Sequence, residues 1–240
     1  MAELNERLLC ALADGCGILS LMLDFKRLPE VISGTVEGSM QEDMTAISAE
    51  LLDSISLSAD DTEETLHLVN EALAQFNLVQ AQAKENMSSE TWNIRREHTR
   101  LFDDPDKPAL PYYEGAFINR RYQREGKDAP DQDILFINRA ANDADRQYKR
   151  AGLKRDPSQN IPGDCMITEM AFLQYMATKT AADLSFDAML REFIRLHMRP
   201  WAQDFFSELT KESSNPYFQG VGAWGSFLIR TMSAIFPTEF

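Results

Sequence analysis

Four groups of residues in this sequence have types and spacings that could support chemistry. Gly220-Val-Gly222-Ala-Trp-Gly225 matches G-x-G-x-x-G. A dinucleotide site needs that match after a strand and inside a βαβ unit, so that helix-start N–H groups meet the pyrophosphate. Here it follows Ser213-Ser-Asn-Pro216 near the end of the chain, and small residues that let a last helix pack closely explain it better. His67 and Glu71 share one helical face, as a two-ligand metal start would, but only His98 and His197 remain and no second pair accompanies them. A solvated helix pair is the expectation. Asp103, Asp104 and Asp106 resemble part of a calcium loop, without its glycine and its closing glutamate. Cys165 would need an activating base to act as a nucleophile, and nothing in its local sequence supplies one, so it reads as a structural thiol. No Gly-x-Ser-x-Gly elbow, phosphate loop or His-Glu-x-x-His motif occurs. By chemistry alone the chain has no evident active site, and no catalytic residue, metal or cofactor is expected.

The elements that must position these residues read as helices throughout. Leu8, Leu12, Cys16, Leu19 and Leu23 mark a first amphipathic helix over 4–26, closed by Pro29 and Gly34. Met44, Ile47, Leu51 and Ile55 carry a second over 40–55. Asp60-Asp61 caps a third, with Leu66, Val69, Leu73, Phe76 and Val79 inward, and Ser88 or Ser89 opens a fourth that ends at Leu101-Phe102. Pro105, Pro108 and Pro111 forbid a helix between 103 and 111. Helical spacing resumes over 114–124, 131–151, 166–178, 185–211 and 216–235, with Pro200 expected to kink the fourth of these. A second loop, 154–164, holds Pro157, Pro162 and Gly163. No run alternates like a strand. The fold class is therefore all-α, a single domain over 1–240 of about nine helices.

Composition removes several functions. Lys plus Arg total 24 against 38 Asp plus Glu, a net charge of −14 that repels phosphate backbones and argues against a nucleic-acid partner. The longest mostly apolar stretch, 16–25, is broken by Ser20 and Asp24 and falls short of a span, so no stable membrane insertion is expected. The acidic start lacks the basic residues of a secretory signal, and three cysteines without C-x-x-C support neither a disulfide framework nor a zinc finger. A cytoplasmic protein with reduced thiols is expected. Arg95-Arg96, Arg120-Arg121 and the stretch from Arg146 to Arg155 are basic islands on solvated faces. Met166, Met170, Phe172, Leu173 and Met176 form an apolar stripe, by default core, with an adaptable peptide groove as the sharper alternative.

Three stretches in order resemble the TorD/DmsD family of redox-enzyme maturation chaperones. The first runs Arg96-Glu97-His98-Thr99-Arg100-Leu101-Phe102, then a Pro-rich loop to Pro111-Tyr112-Tyr113-Glu114-Gly115-Ala116-Phe117. The family has Leu-Phe, a loop, then Pro-aromatic-Glu-Ser-x-aromatic. The second, Pro162-Gly163-Asp164-Cys165-Met166-Ile167-Thr168-Glu169-Met170-Ala171-Phe172-Leu173, is similar to Asp-His-x-x-x-Glu-Leu-x-Phe-Leu. The third, from Phe193 through His197 to Trp201, resembles Phe-Leu-x-x-His-Leu-x-x-Trp, and Pro216-Tyr217-Phe218 resembles the family's ending. The resemblance covers about residues 66–236. Cys165 stands where most members carry histidine, and Gly115 where many carry serine.

The resemblance implies a non-enzymatic helical chaperone that binds the twin-arginine leader of a molybdopterin-dependent oxidoreductase subunit. It would hold that precursor until cofactor insertion and before export. It carries over Leu101, Phe102, Pro111, Tyr112, Tyr113, Glu114, Asp164, Cys165 and Glu169 as the leader-binding groove. A Pro-rich loop flanked by exposed aromatics, with acids beside an apolar floor, would suit a basic pair followed by an apolar stretch. Against this, Leu101, Phe102 and Phe117 could be core, Asp164 could merely cap the helix at Cys165, and His197 and Trp201 read as packing residues. A nitrate-reductase-type assembly factor for a membrane-bound molybdoenzyme is the first alternative. A nucleotide-hydrolysing enzyme is the second, and the missing phosphate loop speaks against it. Pro-containing hinges leave a domain-swapped homodimer open.

Overall fold

Leu8, Leu12, Cys16, Leu19 and Leu23 are wholly buried on one face of α1 (Glu6–Leu23), and Asn5 closes its first turn by accepting from the Leu8 N–H at 2.9 Å. The computed structural model describes residues 4–104, 107–128, 138–154 and 161–237. α1 ends at Leu23, and neither Pro29 nor Gly34 closes it. Both lie in a further short helix, α2 (Leu28–Glu37), with Pro29 in its first turn, where a missing N–H costs nothing. The turn into α3 (Ser39–Asp53) falls at Gly38, whose φ of +93° an L side chain rarely adopts.

The third and fourth expected helices run end to end over α4 (Ala59–His98), separated by a kink. Ser58 caps it, accepting from the Asp61 N–H at 3.1 Å, while Asp60 and Asp61 occupy its first turn. The break lies at Asn86 (φ −155°, ψ 89°), and the Asn86 side chain, not Ser88 or Ser89, caps the continuation by accepting from the Ser89 N–H at 3.0 Å. A widened π turn, Thr99–Asp103, then carries Leu101 and Phe102.

The remaining helices are α5 (Glu114–Arg124), α6 (Arg139–Arg150), α7 (Met166–Ala182), α8 (Asp187–Phe193), α9 (Ala202–Glu212) and α10 (Pro216–Ile235). α6 begins later than its sequence pattern suggests, because Asn138 caps it. Residues 131–137, Asp106, Arg155 and Pro157 lie outside the described residues. The single helix expected over 185–211 is divided into a 3-10 turn, α8, a π turn (Ile194–Met198) and α9. Pro200 accounts for the break before α9: it has no N–H to give the Leu196 carbonyl, and its ring crowds that turn.

The fold is all-α, with ten α-helices and no strand among the described residues. α1 lies along α7, α10 is wedged against α4 and α9, and α5 packs on α6. One contiguous core takes side chains from every helix, and the Met166–Met176 stripe is part of it and not an open groove. Fifteen of the twenty residues of α10 are buried. The glycine motif lies inside this helix. A Cβ on Gly222 would stand 2.3 Å from Thr210 Oγ1 and 2.7 Å from the Thr210 backbone nitrogen, so the glycine permits the α9–α10 contact and offers no phosphate loop. No single helix among the described residues is long and apolar enough to cross a membrane.

Glu97, at the end of α4, is buried and clamps the α9–α10 turn. Its carboxylate takes two hydrogen bonds from Arg100 (2.8 and 2.9 Å), one from the Ser213 hydroxyl (2.8 Å) and one from the Ser214 N–H (3.2 Å). The Arg100 bond does most to hold the carboxyl below its ordinary value, with burial opposing and the serines assisting. A depressed carboxyl stabilises the fold above its unfolded pKa and loses that contribution as pH falls through the folded value. Glu97→Gln should therefore cost about 1–2 kcal/mol at neutral pH. The gap to wild type should close as pH drops below about 4.3, which urea titrations at several pH values would show.

Candidate functional site

Two of the three resembling stretches are hydrogen-bonded to each other. The Glu114 N–H donates to the Asp164 carbonyl and the Met166 N–H to the Tyr112 carbonyl, both at 2.9 Å, so Tyr113 and Cys165 face each other in an isolated antiparallel bridge. This crossing places the first turns of α5 and α7 side by side. Asp164 does not cap α7. Its Oδ2 accepts from the Gly115 N–H at 3.0 Å, serving the start of α5, and from Asn138 Nδ2 at 3.2 Å. Asn138 in turn caps α6, accepting from the Ala141 N–H at 2.6 Å. Three helix N-termini therefore meet at one point, and their orphan N–H groups and dipoles favour acids there. Glu114 and Glu169 occupy the first turns of α5 and α7.

The third stretch completes the cluster. His197, in the π turn after α8, places Nδ1 2.8 Å from Glu114 Oε2 and Nε2 3.1 Å from Asp143 Oδ2. The Phe193 ring stacks on the imidazole at 4.7 Å. Burial works against a charged His197, but Glu114 and Asp143 outweigh it and hold the ring's pKa above its ordinary value. Glu169 is wholly buried and its carboxyl is held well above the usual range, first by burial and then by Glu114 and Asp164. Burial also pushes Asp164 up to about 6 against the hydrogen bonds that favour its ionised form. The Cys165 thiol is raised far above its ordinary value by burial, as an inert structural thiol would be.

A cleft of about 370 Å³ opens over this cluster. α5 contributes Glu114, Gly115, Ile118 and Asn119; α6 contributes Arg139, Ala140, Asp143 and Arg146; Leu196 and His197 close it from the π turn. Arg146 pairs with Asp143 at the rim. Gly115 has a local reason: a Cβ there would stand 3.0 Å from Asn138, whose side chain fills the space.

The structure brings Tyr112, Tyr113, Glu114, Asp164, Cys165 and Glu169 together at the crossing, but not as an exposed groove. Leu101, Phe102, Tyr112, Asp164, Cys165 and Glu169 are all buried, and only Pro111 and Tyr113 are half-buried. The Tyr112 ring lies on Phe102 at 5.1 Å, and Phe102 also meets His98, Phe205 and Phe218. The loop aromatics turn inward because the Leu110 N–H donates to the Leu101 carbonyl at 2.8 Å, folding the loop back onto the π turn. Of the three expected acids, Glu114 alone edges the cleft. His197, Asp143 and Asn138 belong to the site and were not expected there. The spacing from His197 to Trp201 was a signal for the first; Asp143 lies in a polar stretch and Asn138 follows the apolar run 134–137, neither with a signal of its own. His67 and Glu71 form an exposed pair at 3.9 Å, a surface contact as expected.

The sequence pattern of the nitrate reductase delta subunit family matches residues 38–207. That range contains the crossing, the cleft and His197; it begins earlier than the resemblance read from motifs and stops before α10. No curated protein matches the sequence. Three ordered motif stretches, an all-helical fold that joins them, and a match over well over half its length agree, and the chain belongs to this family of redox-enzyme maturation chaperones, which serve molybdenum-containing oxidoreductases.

Proposed function

We propose that this chain binds the twin-arginine leader of a molybdopterin-dependent oxidoreductase subunit and holds the precursor until its cofactor is inserted. The cleft between α5 and α6 is the observation that carries the reading. Its lining sets the acids Glu114 and Asp143 beside half-buried Ile118 and Leu196, the two chemistries that a basic pair followed by an apolar stretch needs. A guest guanidinium can replace Arg146 on Asp143 at little loss, because the Arg146 side chain is 68% exposed and such surface pairs are worth only about 0–1 kcal/mol. The cleft holds one or two side chains, so most of the leader lies outside it, where half-buried Pro111 and Tyr113 remain accessible.

A micromolar complex needs about −8 kcal/mol. Ion pairs supply too little, whereas apolar burial yields about 25 cal/mol per Å², so apolar contact dominates affinity and the acids set orientation and on-rate. Ile118→Asp should weaken binding of the client's leader peptide at least tenfold, about 1.4 kcal/mol, with a near-normal melting temperature. Calorimetry at two salt concentrations tests this, and added salt should weaken the wild type only modestly. Unchanged affinity in Ile118→Asp would remove the cleft from the reading.

The family's description as nitrate reductase delta subunit favours a second reading, an assembly factor for a membrane-bound molybdoenzyme whose mature subunit is not exported. Affinity capture from the native host distinguishes the two. A molybdenum-enzyme catalytic subunit still carrying its leader supports the first; a catalytic subunit without any leader supports the second.

A further inference from the structure

Behind the cleft, Glu114, Glu169 and His197 offer one ligand atom each, all within 4.8 Å of one another. They come from the starts of α5 and α7 and from the π turn after α8, one from each of the three resembling stretches. Two observations separate this group from an ordinary buried ion pair. Glu169 is 0% exposed, and neither of its oxygens meets a partner at hydrogen-bond distance and angle among the described residues, although Glu114 and the Trp201 indole N–H lie near it; His197 Nδ1 is 3.9 Å from Oε1, too far for a bond. Carboxylate oxygens so deeply buried are normally satisfied, and this pair calls for a proton, a water or a cation. The second observation is the other face of His197. With Nε2 held 3.1 Å from Asp143 Oδ2, an imidazole that gives up its Nδ1 proton to an incoming cation still donates to Asp143 and turns the Nδ1 lone pair toward an ion between Glu114 and Glu169. A carboxylate fixing the far nitrogen in this way is the usual support of a metal-ligating histidine.

We propose that Glu114, Glu169 and His197 form a binding site for a divalent transition-metal ion of the zinc class, with Asp143 as the positioning residue. One nitrogen and two carboxylate oxygens are three protein ligands, and two carboxylates balance the charge of a divalent ion. Glu114 and His197 both line the cleft, so a fourth coordination position faces it and is open to water or to a group of a bound partner. Bonds of about 2.0–2.1 Å in a tetrahedral arrangement place ligand atoms about 3.3 Å apart. Measured from His197 Nδ1, Glu169 then closes by about half an ångström and Glu114 opens by about as much, while the two carboxylates, within 4.8 Å of each other, draw together onto the ion. No cysteine belongs to the group. The ion would tie the starts of α5 and α7 to the turn after α8. The inference does not depend on leader binding.

Zinc titrated into chelator-stripped full-length protein, against a chromophoric competitor, tests the site. One equivalent should bind, and zinc should raise the melting temperature of the wild type. Glu169→Gln preserves shape and removes an uncompensated buried acid, so it should fold normally while losing at least a hundredfold in zinc affinity and any zinc-dependent rise in melting temperature. Glu114→Gln should behave alike. Asp143→Asn should bind about 10–100-fold more weakly while its zinc absorption edge keeps the wild-type ligand shell. That shell should be nitrogen and oxygen only, with one imidazole. Equal zinc affinity in wild type and Glu169→Gln, a sulfur neighbour at about 2.3 Å, or no bound zinc in the wild type would overturn the assignment.

Discussion

Trp224→Ala is expected to cost about 3–5 kcal/mol of stability, the range for emptying a large aromatic site in a packed core. Trp224 is 0% exposed near the middle of α10, and its indole N–H donates to the Ser48 hydroxyl of α3 at 3.2 Å. The substitution removes both the ring volume and the partner of a hydroxyl that is itself buried. In a chain of this size each kcal/mol moves the melting temperature by about 2–4 °C, so a fall of about 6–20 °C should be seen by calorimetry. Trp224→Phe should lose less, since it retains most of the volume. A melting temperature within about 2 °C of wild type for Trp224→Ala would contradict the placement of α10 at the centre of the core.

Leu101→Ala should cost about 2–5 kcal/mol, and its main effect should be on folding. Leu101 is 0% exposed in the π turn after α4, with its backbone carbonyl holding the returning loop through the Leu110 N–H at 2.8 Å. A cavity there loosens the turn that also carries Phe102, and so the ring against which Tyr112 packs. Affinity for a leader peptide, measured well below the lowered melting temperature, should change far less than in Ile118→Asp. A tenfold loss of affinity at an unchanged melting temperature would instead show that Leu101 contacts the leader directly.

Much of the site was legible as residue identity and little of it as geometry. Glu114, Asp164 and Glu169 stand out by their place in the resembling stretches, and they occupy or serve the starts of α5 and α7, where acids are favoured. Which helix Asp164 serves could not be read locally: it precedes α7 in sequence but accepts from Gly115 of α5, a partner 49 residues away. His197 looked like a packing residue because a histidine on a helix beside aromatics usually is one. Its partners, Glu114 and Asp143, are 83 and 54 residues distant.

Helical periodicity, proline positions and the lack of alternating segments are properties of neighbouring residues, so the sequence by itself determined the all-α class. It also determined most helix spans, the break at Pro200 and the close-packing role of Gly222. Motif order determined the family. Only the tertiary structure decided that Asn86 caps the second half of α4, that Pro29 opens a helix of its own, and that the loop aromatics fold inward. Those outcomes depend on which surfaces meet, and burial is decided between elements far apart in the chain. The convergence of three helix N-termini on Glu114, Glu169 and His197 is of the same kind, because no local pattern specifies the partner of a buried charge.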